Sequence, residues 1–428
     1  MKALIHVRLY DYEQYIEDGY LLFDHAVRRV GDISDFPYRD ADIATELEAV
    51  IDGKGRLLLP GLINFHTHVY SALARGFDFR RDPKSFQELL SSVWWRMDHF
   101  LTLGDLELCA YAFGAESLRK GVVGIVDHHA SGVITGSTAT VEQGLSALGI
   151  HGITCFETSD RFSIAEAIAE NLNCMGRRQG LFGLHASMSL SDTTLQQVKA
   201  AIGQSPIHCH VAESREDQTH YPESPVLRLL KNGLLQAGSL LAHCVHIDDK
   251  DAHIIKSQKA VVVVNPRSNL NNGVGTPPFS TLMSKDIPIV VGTDGFGADV
   301  ARSWQDFYLS AKASDSKGIA SKQVDVKRYL KESYQIYAQL TGRKLGRFAQ
   351  GYAFDAMLVD YQPFTPIDEK NVFSHVFFGV FDQMAVHTVW IGGKAYLEAG
   401  QLSQLPLVDH AAVRELWKRI EASDGYNG

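Results

Sequence analysis

Two histidines separated by one residue follow a strongly apolar stretch near the start of the chain. The stretch from Leu57 to Ile63 leads into His66-Thr67-His68. Alternate side chains of a β-strand share a face, so His66 and His68 point the same way while Thr67 points the other way. Two imidazoles on one face at the end of a strand are suited to bind a metal ion together. The alternative is a chance pair, or one histidine that is only hydrogen-bonded.

Seven further apolar runs end in polar residues in the same manner. With the first, the eight runs are Leu62–His68, Val122–His129, Ile150–Glu157, Leu181–Ala186, Ile207–Glu213, Leu240–His246, Ala260–Asn265 and Ile287–Asp294. A segment with helical periodicity follows each run, and apolar strands that alternate with helices predict a parallel sheet. Eight such units within residues 59–349 predict an α/β fold, a (β/α)8 TIM-like barrel, whose reactive residues lie at the carboxyl ends of the strands.

The ends of these runs hold more imidazoles and carboxylates than core packing alone would produce. They are His66, His68, Asp127, His128, His129, Glu157, His185, His208, His210, Glu213, His243, His246 and Asp294. Zinc prefers imidazole nitrogen and carboxylate oxygen, and a catalytic site leaves one position open for water. We therefore predict His66, His68, His210 and Asp294 as metal ligands. His243 is either a further ligand or a partner of the bound water.

The two ends of the chain have a different pattern, with short apolar runs separated by turns. Tyr20–Phe23 and Ala26–Ile33 near the start, and Ala356–Asp360 and Val386–Gly393 near the end, are typical of antiparallel strands. Since neither end is long enough to supply a sheet alone, we predict one small β-sandwich domain from residues 1–58 and 350–428. The barrel, residues 59–349, is inserted between its two parts.

Composition excludes several classes of protein. The chain has 428 residues, of which 45% are hydrophobic and 21% charged, as in an ordinary soluble globular protein. Its net charge of −9, with both signs mixed, argues against a nucleic-acid partner. The apolar runs are too short to span a bilayer, and the N-terminus has no signal peptide pattern. Five scattered cysteines, an odd number, indicate a reduced, cytoplasmic protein.

Five motifs along the chain resemble the amidohydrolase superfamily. They are Pro60–His68 followed by Arg75-Gly76, His208–Glu213, Ala242–His246, Asn265–Asn269 and Gly292–Gly295. Their order resembles the aminohydrolase branch, which contains cytosine, guanine and S-adenosylhomocysteine deaminases and the chlorohydrolases. Further segments resemble the SsnA-type aminohydrolases within this branch: Trp94–Asp98, Asp127–Ser131, Thr154–Arg161 and Arg267–Asn272.

The resemblance implies a metal-dependent hydrolase and assigns roles to three residues. The fourth run, Leu181–Ala186, lacks the lysine that bridges two metals in binuclear members, which favours one divalent ion, Zn²⁺ or alternatively Fe²⁺ or Mn²⁺. A bound metal lowers the pKa of water. Asp294 would accept the proton of that water, and His243 would hold the resulting hydroxide. Glu213 would protonate the ring nitrogen beside the attacked carbon, which requires a raised pKa.

The resemblance also predicts a substrate class and a homodimer. We expect hydrolytic deamination of an aminated N-heterocycle, such as a purine, pyrimidine or pterin. His185, Trp94 (or its neighbour Trp95), His129 and Glu157 are candidate substrate contacts. Hydrolysis of an amide, imine or chlorinated heterocycle on the same site is the alternative enzyme hypothesis. A barrel that has lost catalysis and only binds a partner is the alternative from another class, and the complete set of candidate residues argues against it.

Overall fold

The computed structural model describes residues 1–39, 45–78, 82–177, 180–314, 325–403 and 408–423. In these residues the strands form one nine-stranded sheet and two parallel sheets. In chain order the strands are β1 (Lys2–Tyr10), β2 (Tyr15–Phe23), β3 (Val27–Asp32), β4 (Ala49–Asp52), β5 (Leu57–Pro60), β6 (Leu62–Thr67), β7 (Val122–His129), β8 (His151–Phe156), β9 (Phe182–Leu184), β10 (Ile207–Val211), β11 (Leu240–His243), β12 (Val261–Val264), β13 (Ile289–Val291), β14 (Ala356–Val359), β15 (Val386–Ile391), β16 (Lys394–Glu398) and β17 (Gln401–Leu402).

The nine-stranded sheet takes its strands from both ends of the chain. Its order is β17-β16-β15-β14-β5-β1-β2-β3, and β4 also pairs with β1. The two ends meet where β5 pairs antiparallel with β14 and parallel with β1. Phe23 and Phe354 pack with their ring centroids 4.1 Å apart in the core of this sheet. The strands expected at both chain ends are therefore confirmed, and they share one sheet.

Two parallel sheets contain the eight apolar runs. Their orders are β6-β7-β8 and β13-β12-β11-β10-β9, and all eight strands lie mainly in buried surroundings, as near-continuous apolar runs require. Single parallel bridges, Thr67 with Asp294 and Thr158 with Leu184, link the edges of the two sheets. The predicted α/β fold with parallel strands is confirmed.

Helices connect these strands and cover them. The helices are α1 (Phe86–Leu89), α2 (Trp95–His99), α3 (Leu103–Arg119), α4 (Ser137–Ala147), α5 (Ile164–Arg177), α6 (Asp192–Ile202), α7 (Arg215–Thr219), α8 (Pro225–Lys231), α9 (Asp249–Ser257), α10 (Pro266–Asn271), α11 (Phe279–Ser284), α12 (Val300–Ser314), α13 (Val326–Thr341), α14 (Val372–His375), α15 (Phe381–Gln383) and α16 (His410–Glu421). A π-helical turn, Leu90–Trp94, joins α1 to α2. Among the described residues, no helix combines the length and apolarity needed to cross a membrane.

Local signals explain the ends of the helices. α3 begins after Thr102, whose hydroxyl accepts from the backbone N–H of Asp105 while the Asp105 carboxylate accepts from the backbone N–H of Thr102. It ends before Gly121, which adopts a φ of +69° that an L-residue disfavours. α16 buries Leu416 and Ile420. These contacts fix the helices that surround the parallel strands.

Candidate functional site

The carboxyl ends of the parallel strands converge on one group of side chains. β6 carries His66 and ends just before His68, and β10 carries His210. His243 is the last residue of β11, and Asp294 follows β13. His243 and Asp294 adopt positive φ values of 72° and 54°, which are uncommon for residues other than glycine. The chain thus turns sharply where these two side chains enter the site, and such strain is concentrated at functional sites.

His66, His68, His210 and Asp294 form a compact group of donor atoms. One donor atom from each lies within 4.8 Å of the others. The Asp294 Oδ1 atom is 2.9 Å from His68 Nε2 and 3.5 Å from His66 Nε2, and His68 Nε2 is 3.3 Å from His210 Nε2. Ligands at about 2.0–2.1 Å from a tetrahedral zinc ion lie about 3.3 Å apart, so these separations fit such an ion.

The electrostatics of this group also fit a cation. His66 Nε2 is buried without a hydrogen-bond partner. Burial lowers the pKa of His66 to about 4, which leaves its imidazole neutral and able to ligate. Burial opposes the ionisation of Asp294, but its close contacts with His66 and His68 outweigh it and hold the pKa of Asp294 well below its usual range. Burial holds the pKa of His210 well below its usual range, so His66 and His210 offer neutral imidazoles. Burial also acts to lower the pKa of His68, but the hydrogen bond to Asp294 and the charge of Asp294 outweigh it and raise that pKa to about 9. His68 would therefore release its proton on binding a metal ion, which completes the imidazole and carboxylate set that zinc prefers.

His66 and His68 each use their Nδ1 atom, the nitrogen that faces away from the donor group, for a contact with another residue. His68 Nδ1 donates to the backbone oxygen of His128 at 2.7 Å. His66 Nδ1 lies 2.8 Å from Nε2 of His208, a residue with no exposed surface. Such contacts fix the ring orientation and the tautomer of a ligating histidine. His208 and His210 share a face of β10, as the alternation of the strand predicted.

Residues after β12 hold Asp294 and His243. Ser268 Oγ donates to Asp294 Oδ2. His243 Nδ1 donates to Asn269 Oδ1 at 2.7 Å, which leaves His243 Nε2 facing the site. His243 Nε2 lies 3.5 Å from Glu213 Oε2 and 3.9 Å from Asp294 Oδ2. Ser268 and Asn269 belong to a motif that the sequence singled out, but only the fold shows which side chains they contact.

Glu213 lies just beyond β10, beside the donor group. Its side chain is 10% exposed, and burial raises the pKa of its carboxyl to about 7, with the negative charge of Asp294 acting in the same direction. His243 and Asn272 lower this pKa but do not offset the burial. Glu213 can therefore be protonated near neutral pH while Asp294 stays ionised.

A cavity of about 660 Å³ opens onto these residues. Its polar wall includes His68, His210, Glu213 and Asp294, together with candidate contacts Glu157 and His185, and its apolar wall includes Trp94 and Trp95. This size suits a small organic ligand.

His129 is absent from the cavity lining. It follows His128 on β7, and alternation turns it away from the histidine group. Its ring is fully buried and its Nε2 pairs with Ser131 Oγ at 2.9 Å. Of the residues predicted as metal ligands, catalytic groups or substrate contacts, His129 is the one that the structure places outside this site.

A buried ion cluster beside the cavity was not predicted. Arg161 donates to both carboxylate oxygens of Asp98, at 2.8 and 3.2 Å, and to Glu157 Oε1 at 2.9 Å. Its guanidinium carbon lies 4.7 Å from the ring centroid of Trp95. Arg161 therefore fixes Glu157 in the cavity wall. Glu157 and Arg161 are only four residues apart, but no spacing in the sequence indicates that they meet Asp98, because Asp98 comes from a distant segment.

Family comparison agrees with this geometry. The model of the amidohydrolase family matches residues 57–396, and the chain belongs to this family. It is thus a hydrolase, and the resemblance of its motifs to this superfamily is confirmed.

Three individual relatives have sequence identities of 20–28% to this chain. The chain is 28% identical over 366 residues to the 5-methylthioadenosine/S-adenosylhomocysteine deaminase of Halothermothrix orenii, with 80% of this chain and 81% of the relative covered. The solved adenosine deaminase of Xanthomonas campestris with bound zinc has a TM-score of 0.80 at 20% identity over 98% of both chains. An atrazine chlorohydrolase of Arthrobacter aurescens, complexed with zinc, has a TM-score of 0.73 at 20% identity, over 98% of this chain and 100% of its own. The two solved structures share the fold.

Proposed function

We propose that the protein is a metal-dependent hydrolytic deaminase that releases ammonia from an aminated N-heterocycle. The observation that carries the proposal is the position of Glu213, whose carboxyl has a pKa of about 7 and lies beside a group of three imidazoles and one carboxylate. A carboxyl group that can give and take protons at neutral pH is what protonation of a ring nitrogen requires. The deaminase names of the relative from Halothermothrix orenii and of the Xanthomonas campestris structure support this reaction.

His66, His68, His210 and Asp294 would hold one divalent ion. Zn²⁺ is favoured by the donor types and by the zinc in similar structures, with Fe²⁺ or Mn²⁺ as alternatives. When bound, the ion would supply Lewis-acid chemistry that lowers the pKa of a water molecule toward neutrality. Leu184 and its neighbours in β9 include no lysine that could bridge a second ion.

The side chains around the donor group would move the protons. Asp294, ionised and held by Ser268, would accept a proton from the attacking water. Asn269 accepts from His243 Nδ1, so the Nε2 atom of His243 is free to accept a hydrogen bond from the same water. Glu213 would donate its proton to the ring nitrogen beside the attacked carbon. The C–O bond would form as the water attacks. The proton taken by Asp294 would then pass to the amino group, so that the C–N bond breaks and ammonia leaves. The remaining hydroxyl proton would return to Glu213 as the carbonyl forms.

The cavity wall would orient the heterocycle. Trp94 and Trp95 provide flat apolar surfaces, while His185 and Glu157 provide polar atoms in the same wall. The ring centroid of His185 lies 6.0 Å from that of Trp95. Glu157 is fixed by Arg161, so it can accept hydrogen bonds from a substrate without rearranging. We propose His185, Trp94 and Glu157 as substrate contacts.

The proposal extends to the architecture and to the assembly. Bridges between Thr67 and Asp294 and between Thr158 and Leu184 support closure of the eight parallel strands into a (β/α)8 barrel, residues 59–349. Shared strands support a composite end domain of residues 1–58 and 350–428, and its β-sandwich form stays a prediction. A homodimer and a cytoplasmic location stay predictions, and sedimentation of the purified protein would test the first of them.

The test is ammonia release combined with metal analysis on the same purified sample. The panel contains adenosine-type nucleosides, free aminopurines, aminopyrimidines, pterins and triazines, with chlorinated triazines, amides and imines as the second arm. We expect about one metal ion per chain and ammonia from one class of aminated ring. Bound metal with turnover only in the second arm would replace deamination by the alternative hydrolysis. A protein that binds no metal and turns over no compound would overturn the proposal and favour a non-catalytic binding protein.

A further inference from the structure

His66 depends on a partner that differs from the partner of His68. The Nδ1 atom of His68 is held by a backbone oxygen, which cannot be altered by substitution. The Nδ1 atom of His66 is held by the side chain of His208, with 2.8 Å between the two ring nitrogens. The ring centroids of His66 and His208 are 4.9 Å apart, and the ring planes form an angle of 75°. Because the two nitrogens are much closer than the centroids, the rings meet at their nitrogen-bearing edges.

The direction of the proton in this contact follows from the chemistry of the site. If His66 ligates through Nε2 as a neutral imidazole, its only proton is on Nδ1, and Nδ1 must donate. His208 Nε2 must then accept, so the proton of His208 is on Nδ1. That atom lies 3.7 Å from the sulfur of Cys155, which accepts weakly. The thiol of Cys155 in turn donates to the backbone oxygen of Asp127 at 3.6 Å.

Every member of this chain of contacts is fixed in place. His66, His208 and Cys155 have no exposed surface. His208 is paired in register with Gly183 on β9 and Leu240 on β11, which prevents its backbone from shifting. A Cβ atom at Gly183 would lie 2.2 Å from the backbone oxygen of Phe156, so the two parallel sheets approach closely beside this pair. Burial and strand pairing on both sides therefore hold His208 beside His66.

We propose that His208 is a positioning residue, which orients His66 for the metal ion by accepting the proton on its Nδ1 atom. This inference rests on the metal site of the proposed function and adds a residue to it. His208 neither lines the cavity nor offers a donor atom to the metal, because its Nε2 atom is engaged with His66 Nδ1 and its Nδ1 atom faces Cys155. Its effect is exerted through the orientation and the tautomer of His66.

Two amide substitutions distinguish positioning from general structural support. A glutamine at position 208 places its amide oxygen near the position of Nε2, where it can accept from His66, whereas the shorter asparagine places its amide near the position of Nδ1. We expect His208→Asn to weaken zinc binding by about 10–100-fold and His208→Gln to retain most of the affinity. The measurement is zinc retention by the purified holoenzyme against a series of chelators, with the melting temperature of the metal-free form recorded in parallel. His253→Asn, an exposed histidine on α9, is the matched control.

The outcomes separate this inference from the proposed function. Equal zinc affinity in the His208→Asn, His208→Gln and unmodified proteins would overturn the positioning role and leave the metal site intact. Equal losses in both variants, accompanied by equal drops in the melting temperature of the metal-free form, would also overturn it, since packing would then explain the result. If the unmodified protein binds no zinc, Fe²⁺ or Mn²⁺, the proposed function itself fails, and this inference fails with it.

Discussion

Asp355 beside the nine-stranded sheet and the histidines at the ends of the parallel strands are buried polar groups that the fold treats in opposite ways. Asp355, which precedes β14 and is 3% exposed, accepts from two guanidinium nitrogens of Arg343, at 2.6 and 2.7 Å, and from the backbone N–H of Gly392 at 2.6 Å. In the histidine group, by contrast, His66 Nε2 and His243 Nε2 are buried without a partner.

The difference distinguishes structural polar groups from functional ones. An unpaired buried polar atom costs about 1–3 kcal/mol of stability, and folded proteins rarely leave several together. At Asp355 the fold supplies the partners itself, so this group stabilises the junction of strands from both chain ends. In the histidine group the fold leaves aligned nitrogens unpaired, as is expected where the partner is a metal ion, a water molecule or a substrate.

Replacement of Glu213 by glutamine should have the largest effect. The amide keeps the shape but cannot donate a carboxyl proton, so we expect kcat to fall by about 100–10,000-fold. Metal content and the free energy of unfolding should stay close to those of the unmodified protein, because no metal donor is changed. Ammonia release and metal analysis on the same sample measure both. Retention of full activity would place the proton donor elsewhere.

Replacement of Asp355 by alanine should lower the stability of the protein and leave its catalysis unchanged. It leaves the Arg343 guanidinium and the Gly392 N–H without their acceptor, so the free energy of unfolding should fall by about 1–3 kcal/mol. The kcat value should not change, since Asp355 is not part of the cavity lining. Urea denaturation gives the stability. Asp360→Ala is the control on the same sheet, because the Asp360 side chain is 51% exposed and its pair with Arg56 should contribute about 0–1 kcal/mol. Equal losses of stability in the two variants would show that the buried carboxylate of Asp355 contributes no more than the exposed carboxylate of Asp360.

The pH dependence of catalysis should report the raised pKa of Glu213. The protonated carboxyl is the active form, and its pKa is about 7. Therefore kcat/KM should fall above about pH 7, by about tenfold per pH unit. The residual rate of Glu213→Gln should lack this decline. A rate that rises steadily through pH 7 to 9 in the unmodified protein would exclude Glu213 as the general acid.

Asp127 combines the two patterns, because one of its carboxylate oxygens is paired and the other is not. One carboxylate oxygen accepts from the backbone N–H of Val69 at 2.8 Å, while the other is buried without a partner. Burial raises the pKa of Asp127 from 3.8 to about 7.

This shift fixes the sign of its effect on stability. Between pH 3.8 and about 7 the folded protein keeps a proton that the unfolded chain has released. The free energy of unfolding should therefore decrease as the pH rises through this window, by at most about 1.4 kcal/mol per pH unit. Asp127→Asn should lack that component when urea midpoints are compared across the window. An identical pH dependence in both proteins would show that Asp127 is ionised when folded.

The sequence by itself determined the elements and the residues at their ends. Apolar runs of strand length, each followed by a helical segment, specify parallel strands, because burial on both faces leaves no polar position within the run. The alternation of a strand placed His66 with His68, and His208 with His210, on common faces before any fold was known. Glu213 follows His210 so closely in the chain that its proximity to the donor group is a local property.

Contacts between distant segments were decided only by the tertiary structure. His66 and His208 are 142 residues apart, and strand alternation states which face each occupies but not which neighbour it meets. The cluster of Arg161 with Asp98 and Glu157 depends on how the loop after β8 packs on α2. His129 ends an apolar run like the other candidates, yet packing turned it toward Ser131. Register and packing between strands set these pairs, because they involve the shape of the whole fold rather than the period of any one segment.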